Sequence, residues 1–178
     1  MAQGARHHFS FADYARLEER SEVKHEFLDG AVWAMAGGSP AHAATAANVV
    51  ALLSDALRDR ACRVFSSDLR VRVPATGLGT YPDVSVVCDA LALDPEDPKG
   101  HTVTNPALLV EVLSPTTESY DRGEKPEHYQ ALESLQALVL IAQDERRVDV
   151  IERTAEGGWV ETCVVTGDVA LGSLGVSL

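Results

Sequence analysis

Pro106-Ala-Leu-Leu-Val-Glu111-Val-Leu-Ser-Pro115 is an apolar strand with a single carboxylate inside it. A strand apolar on both faces belongs in the middle of a covered sheet, which makes this a mixed α/β chain with helices packed on strands. An unpaired ionised carboxylate is very costly in that setting. Glu111 therefore needs a cation, a proton or a strong partner. Upstream, Tyr81-Pro-Asp83-Val-Ser-Val-Val-Cys88 places a second carboxylate at the mouth of another apolar strand, and downstream Lys125 stands where a helix begins. Two carboxylates and a lysine at strand ends suit a divalent-metal site that cuts phosphodiesters. Magnesium is held by one or two carboxylates and keeps several waters, and a cation so held activates water and neutralises phosphate charge.

The rest of the chain is read outward from this strand. Its 178 residues suffice for one domain, 1–178, with a sizeable core, and 46% hydrophobic with 24% charged residues is an ordinary globular balance. Met1 to Ser10 lacks the apolar core of a signal peptide, and no apolar run is long enough to span a bilayer. The three cysteines (Cys62, Cys88, Cys163) are far apart, odd in number and without CxxC spacing. This reads as buried, reduced thiols in a cytoplasmic protein, not a disulfide framework or zinc site. A net charge of −12 argues against broad nucleic-acid binding. Arg58, Arg60, Arg63, Arg70 and Arg72 nevertheless cluster, either as a local basic face or as a solvated helix end and exposed strand.

Local signals order the elements. Ser10 caps a helix from Phe11 to about Arg20, with Asp13 completing a capping box. Lys24 to Met35 reads as a hairpin turning at Asp29-Gly30. Ser39-Pro40 opens an alanine-rich helix running to about Arg58. Strands follow at Arg63–Ser66 and Leu69–Val73, as two short pieces or one bent one. Pro74–Gly79 reads as a turn, Val84–Cys88 as a strand and Leu91–Thr104 as a surface loop. After the strand at Leu108–Leu113, a helix is expected over Glu124–Glu133, then strands at Leu138–Ala142, Val148–Glu152 and Trp159–Val165.

Plainer readings stand beside the site. Asp83 could cap or solvate a strand start. Lys125 lies four residues after Asp121, the spacing of an ion pair on a helix surface. A structural Glu111 would require a buried cation.

The order Glu26-Phe-Leu-Asp-Gly30, Ser39-Pro-x-His42, Ser67-Asp-Leu-Arg-Val71, Tyr81-Pro-Asp83-Val, Leu109-Val-Glu-Val-Leu-Ser-Pro-Thr-Thr117 and Tyr120-Asp-Arg-Gly-Glu-Lys125 with Tyr129 resembles the Uma-two family, restriction-endonuclease-like proteins of the PD-(D/E)xK nuclease superfamily. The resemblance covers nearly the whole chain. It implies an αβββαβ core with an N-terminal helix and hairpin and extra C-terminal strands. It implies Asp83, Glu111 and the Val112 carbonyl as ligands of Mg²⁺ or Mn²⁺, and Glu26 as a further catalytic acid. Lys125 would polarise the attacking water or stabilise phosphate charge. His42 and Tyr129 match family positions as contacts behind the site or to substrate, and Arg70 and Arg72 are candidate DNA contacts. His42 could equally pack or cap its helix, and Tyr129 could merely orient Lys125. The superfamily's usual lysine slot, two residues after the glutamate, is Leu113 here. Pro126 forces the helix to start close to residue 124, which leaves Lys125 at its N-terminal edge.

The expected activity is metal-dependent endonuclease hydrolysis of DNA. The alternative is a nuclease-like fold that no longer cuts and serves as a nucleic-acid-binding or assembly module. A cysteine hydrolase has no recognisable nucleophile motif in its favour. Double-strand cutting by a one-site domain makes a symmetric homodimer a further expectation.

Overall fold

The computed structural model describes residues 8–178; segment 1–7, part of the stretch read for a signal peptide, lies outside the described residues. Ser10 caps helix α1 (Phe11–Glu18), and the reciprocal bonds between Ser10 and Asp13 form the expected box. Strands β1 (His25–Leu28) and β2 (Ala31–Ala34) make a hairpin. Its turn residues Asp29 and Gly30 both have positive φ, 46° and 79°, as a two-residue hairpin turn requires. Helix α2 (Pro40–Ala56) starts with the Ser39 hydroxyl accepting from the His42 N–H. It buries Val49 and Leu53.

The middle of the chain alternates between two sheets. β3 (Cys62–Ser66) joins one, whereas β4 (Arg70–Val73) and β5 (Leu78–Thr80) pair in the other. The two pieces read ambiguously from sequence are thus separate strands. The turn expected over Pro74–Gly79 is shorter, since Leu78 and Gly79 already belong to β5. Gly79 is required there. A Cβ would lie 2.8 Å from the Phe11 ring and 3.0 Å from the Tyr14 ring, so glycine is what lets α1 lie against this sheet. β6 (Val84–Cys88) returns to the first sheet. The segment expected as a surface loop, Leu91–Thr104, contains β7 (Thr102–Val103) and buries Asp94 and Asp97. The reason is two arginines on β4, described below.

β8 (Leu108–Val112) is buried along its whole length. Helices α3 (Glu118–Arg122) and α4 (Glu124–Gln130) follow, where one helix was expected. They break at Gly123, whose Cβ would meet the Ser119 carbonyl oxygen at 2.8 Å. Pro126 falls in the first turn of α4, where its missing N–H leaves no helical bond unmade. β9 (Ala137–Ile141), β10 (Val148–Arg153) and β11 (Trp159–Val164) follow, then a small hairpin of β12 (Ala170–Leu171) and β13 (Val176–Ser177).

The larger sheet has the order β11-β10-β9-β8-β6-β3 and the smaller β2-β1-β5-β4-β7. β8 runs parallel to β9 and antiparallel to β6. Alternation along β8 and β9 divides the core. Leu108, Val110, Ala137 and Val139 pack with Val49 and Leu53 of α2, whereas Leu109, Leu113, Leu138 and Leu140 pack with Tyr129 and with Val71 and Val73 of β4. Glu111 shares the second face, because side chains two residues apart point the same way.

The cysteine reading requires correction. Cys62 and Cys88 are directly opposed in the β3–β6 ladder with Cα atoms 3.9 Å apart, and they form a disulfide. Separated by 26 residues, they meet only through the antiparallel register. Cys163 is a free thiol and is exposed, not buried. Among the described residues no helix is long and apolar enough to cross a membrane.

Candidate active site

The β6–β8 ladder ends at the pair Val84–Val110; one step further, Asp83 stands across from Glu111 on the same face. The backbone N–H of Val112 donates to Asp83 Oδ2 at 2.8 Å, and His42 Nε2 lies 3.2 Å from the same oxygen. The first turn of α2 thus braces the mouth of β6. Glu111, only 4% exposed, takes a 2.5 Å hydrogen bond from the Tyr129 hydroxyl on Oε1.

Lys125 supplies the cation that Glu111 needs. Its Nζ lies 2.9 Å from Glu111 Oε1, 3.3 Å from Glu26 Oε1 and 3.3 Å from Asp121 Oδ1. Starting α4 at Glu124 does not hold the lysine at the surface; it directs the side chain inward, and Lys125 is buried. Tyr129, one turn further along α4, reaches the same Glu111 oxygen. Glu26 is fixed from two more sides, by the Thr80 hydroxyl and by Trp33 Nε1 at 3.2 Å.

The group is electrostatically unbalanced. Glu26, Glu111 and Asp121 surround one ammonium, and Asp83 lies beside them. Burial pushes the Glu111 carboxyl up to about 8, with Asp83 and Asp121 adding to the rise against the pull of Lys125. Burial also raises Asp83, against the Val112 N–H bond and His42. For Lys125, burial disfavours the ammonium, but the surrounding carboxylates, Glu111 foremost, hold its pKa well above the usual lysine value. Such a cluster takes up a proton or a further cation.

Of the residues singled out in the sequence, Glu26, Glu111, Lys125 and Tyr129 come together directly, and Asp83, Val112 and His42 adjoin them. Arg70 and Arg72 do not join the cluster. Arg70 is 1% exposed, bonded to Asp97, Thr102 and Tyr81. Arg72 meets Asp94 and Glu96 and lies over the Phe11 ring. Both are spent on internal carboxylates of the loop after β6. Asp121, Thr80 and Trp33 were missed as site residues. The i,i+4 spacing of Asp121 and Lys125 was visible, but read as a surface pair. The Asp29-Gly30 turn fixes Glu26 opposite Trp33, which a register argument could have found. The hydroxyl of Tyr120 is buried in the same neighbourhood without a protein partner among the described residues, and Lys125 Nζ lies 5.8 Å from its ring.

The residues fit a hard divalent ion to a limited degree that suits magnesium. Among the described residues no three His, Cys, Asp or Glu side chains form a ready-made cage. Among the described residues no hydrogen bond reaches Asp83 Oδ1 or Glu111 Oε2, so each carboxylate keeps one oxygen for a ligand. Two carboxylate oxygens completed by water and phosphate oxygens are an ordinary magnesium environment.

Fold and site together define a restriction-endonuclease-like protein. A crystal structure described as a putative nuclease from Anabaena variabilis matches with a TM-score of 0.75 at 20% identity, covering 94% of this chain and 91% of that one; at this identity the likeness is one of fold. The chain belongs to the Uma2 (Uma-two) family, described as "Putative restriction endonuclease", whose model matches residues 11–177. Two uncharacterized proteins of Synechocystis sp. are similar to it. One is 36% identical over 167 residues, 93% of this chain and 85% of the relative. The other is 32% identical over 151 residues, 85% of this chain and 84% of the relative.

Proposed function

We propose that this chain is an endonuclease that hydrolyses DNA phosphodiester bonds with Mg²⁺ or Mn²⁺ held by Asp83, Glu111 and the backbone carbonyl of Val112. The observation that carries the reading is the pair of facing carboxylates, each with an oxygen free of protein partners among the described residues, beside a buried lysine. When bound, the cation supplies an activated water and neutralises charge on the scissile phosphate. The protein's own groups do the rest. Val112 N–H and His42 hold Asp83 in one orientation. Tyr129 does the same for Glu111. Glu26 and Asp121 hold Lys125 charged and beside Glu111, where its positive charge assists attack at phosphorus.

The test is cleavage of supercoiled plasmid. Wild-type protein is expected to nick or linearise it with Mg²⁺ or Mn²⁺ and to stop on chelation. Asp83→Ala and Glu111→Ala should lose at least about a hundredfold in rate while keeping their circular dichroism spectra. Full activity in those folded variants, or no cleavage by wild type with either metal, overturns the reading.

The second reading is a nuclease-like fold that engages nucleic acid without cutting it. It is favoured by one observation: Lys125 already lies within 3.3 Å of three carboxylates, which compete with phosphate for its charge. Salt-dependent DNA binding with no cleavage would select it.

A further inference from the structure

The chain has four tyrosines, and three of their hydroxyls are committed. Tyr14 donates to the His25 carbonyl at 2.6 Å, Tyr81 to Glu18 at 2.7 Å and Tyr129 to Glu111 at 2.5 Å. Tyr120 is the exception: its hydroxyl oxygen is buried with no hydrogen-bond partner among the described residues. A buried hydroxyl left unpaired gives up its bonds to water and gains none in return, so a phenylalanine would fill the same ring space at lower cost. Such an orphan calls for an explanation, and this one stands beside a charged cluster that must rearrange in order to act. Burial and the charge of Glu26 push the phenol up to about 12. It stays protonated, a donor and not a base.

The rearrangement concerns Lys125. Its ammonium has three N–H donors and lies within 3.3 Å of Glu26, Glu111 and Asp121. Turning toward a phosphate oxygen therefore takes it away from at least one carboxylate. Glu111 is the nearest of the three and lies on the metal side of the cluster, and Asp121 is one helical turn from the lysine in sequence. Glu26 comes from β1 and is tied to its own sheet by the Thr80 hydroxyl and Trp33 Nε1, so it does not follow the lysine. A buried carboxylate that loses its cation is strongly destabilising unless another donor replaces it. Lys125 Nζ lies 5.8 Å from the Tyr120 ring, and of the charges around this phenol Glu26 acts most strongly. Asp121 is the next residue along α3, and adjacent helix positions do not face each other.

We propose that Tyr120 is a positioning residue whose O–H takes the place of the Lys125 ammonium on Glu26 when the lysine turns to a phosphate oxygen. One hydrogen bond replaces another, and no proton or covalent bond is transferred. The exchange lets a lysine held by three carboxylates serve at phosphorus without stranding one of them. The phosphate half of the exchange rests on the nuclease reading. The pairing of Tyr120 with a Glu26 that has lost its lysine does not, and it is tested without metal or DNA.

Protein labelled with ¹³C at the tyrosine Cζ, the ring carbon that bears the hydroxyl, reports the bonding of each phenol by NMR. Tyr120→Phe assigns the Tyr120 resonance by its absence. In Lys125→Met that resonance is expected to move from its wild-type position, and adding Glu26→Gln to the same chain should cancel most of the movement. A Tyr120 resonance that stays put in folded Lys125→Met, or moves equally in the double variant, overturns the proposal. Tyr120→Phe supplies a second arm. Its midpoint in urea should equal or exceed that of wild type, because the hydroxyl has no partner in the resting protein. Its kcat for plasmid nicking should fall about tenfold with KM unchanged, since the loss is felt only after the lysine has turned. A clear loss of stability in Tyr120→Phe, or nicking at the wild-type rate, also overturns it. Absence of cleavage by wild type would instead remove the nuclease reading, and the resonance of Tyr120 in Lys125→Met would still decide the pairing.

Discussion

Glu111 meets Lys125, Tyr129 and the field of Asp83 at once, and this makes it the residue through which the site responds to pH. Its value of about 8 in the folded protein stands above the ordinary 4.5. The folded, metal-free protein therefore keeps a proton there that the unfolded chain releases. The contribution is complete below about pH 4.5 and drains away as pH rises toward 8, at up to about 1.4 kcal/mol per pH unit. Melting temperature of metal-free protein, followed by differential scanning fluorimetry, is expected to fall across that window. Mn²⁺ should flatten the fall, because a cation on the carboxylates takes the place of the proton. A melting temperature that rises with pH in the absence of metal would contradict this account of the cluster. The same excess of carboxyl groups over ammonium is what makes the strand around Glu111 chemically informative and not merely unusual.

At the scale of elements, the α3–α4 junction sets the site more than either helix does. Both are short, too short to be stable by themselves, and each is held by tertiary contacts. Arg122 of α3 pairs with buried Asp149 of β10, while Tyr129 of α4 is seated in the core between the sheets. Between them Gly123 lets the chain turn so that Asp121 and Lys125 face each other. Gly123→Ala would drive a Cβ into the Ser119 carbonyl oxygen, a backbone atom with little room to yield. The expected cost is about 1–3 kcal/mol, read as a lower midpoint in urea, together with tighter Mn²⁺ binding by calorimetry as the Lys125 ammonium shifts away from Glu111 and no longer repels the cation. Unchanged stability and metal affinity in this variant would show that the junction does not position the lysine. The hairpin of β1 and β2 has a comparable part on the other side, since its register puts Trp33 against Glu26.

Across the whole molecule, charge is sorted into buried pairs that have the opposite pH dependence from Glu111. Burial would raise Asp97, but hydrogen bonds from Thr102 and Arg70 outweigh it and hold the carboxyl below its ordinary 3.8. Asp149 is likewise held down by Arg122 and Arg147 against burial. Stability from these groups is present above about pH 3.8 and is lost as pH falls through their lower folded values. Acid unfolding followed by circular dichroism should therefore begin only below about pH 4, and Asp97→Asn should flatten the acid limb. An acid limb with the same slope in Asp97→Asn would place the acid-sensitive group elsewhere. The arginine cluster, legible in sequence as either a basic face or a solvated stretch, is resolved at this scale: Arg70 and Arg72 stitch β4 to the segment after β6.

Much of the chain was legible from local signals, because those signals act over a few residues. The Ser10 box, the Asp29-Gly30 turn, Ser39-Pro40 at the start of α2, Pro126 at the start of α4 and the apolar strand around Glu111 all rest on backbone geometry or side-chain periodicity within one element. The strand patterns and the helix start singled out Asp83, Glu111 and Lys125 by themselves, and the family resemblance added Glu26 and the order of elements. What only the tertiary structure decided depends on partners distant in sequence: the Cys62–Cys88 bond, the burial of Asp94 and Asp97, β5 as a strand beneath α1, and Asp121 as a member of the lysine's carboxylate shell. Each is set by sheet register or by a buried charge seeking its counterpart. A carboxylate's need for a cation can be read from one strand, but which cation meets it is fixed by what the fold brings within about 3 Å, the reach of a charge-assisted hydrogen bond.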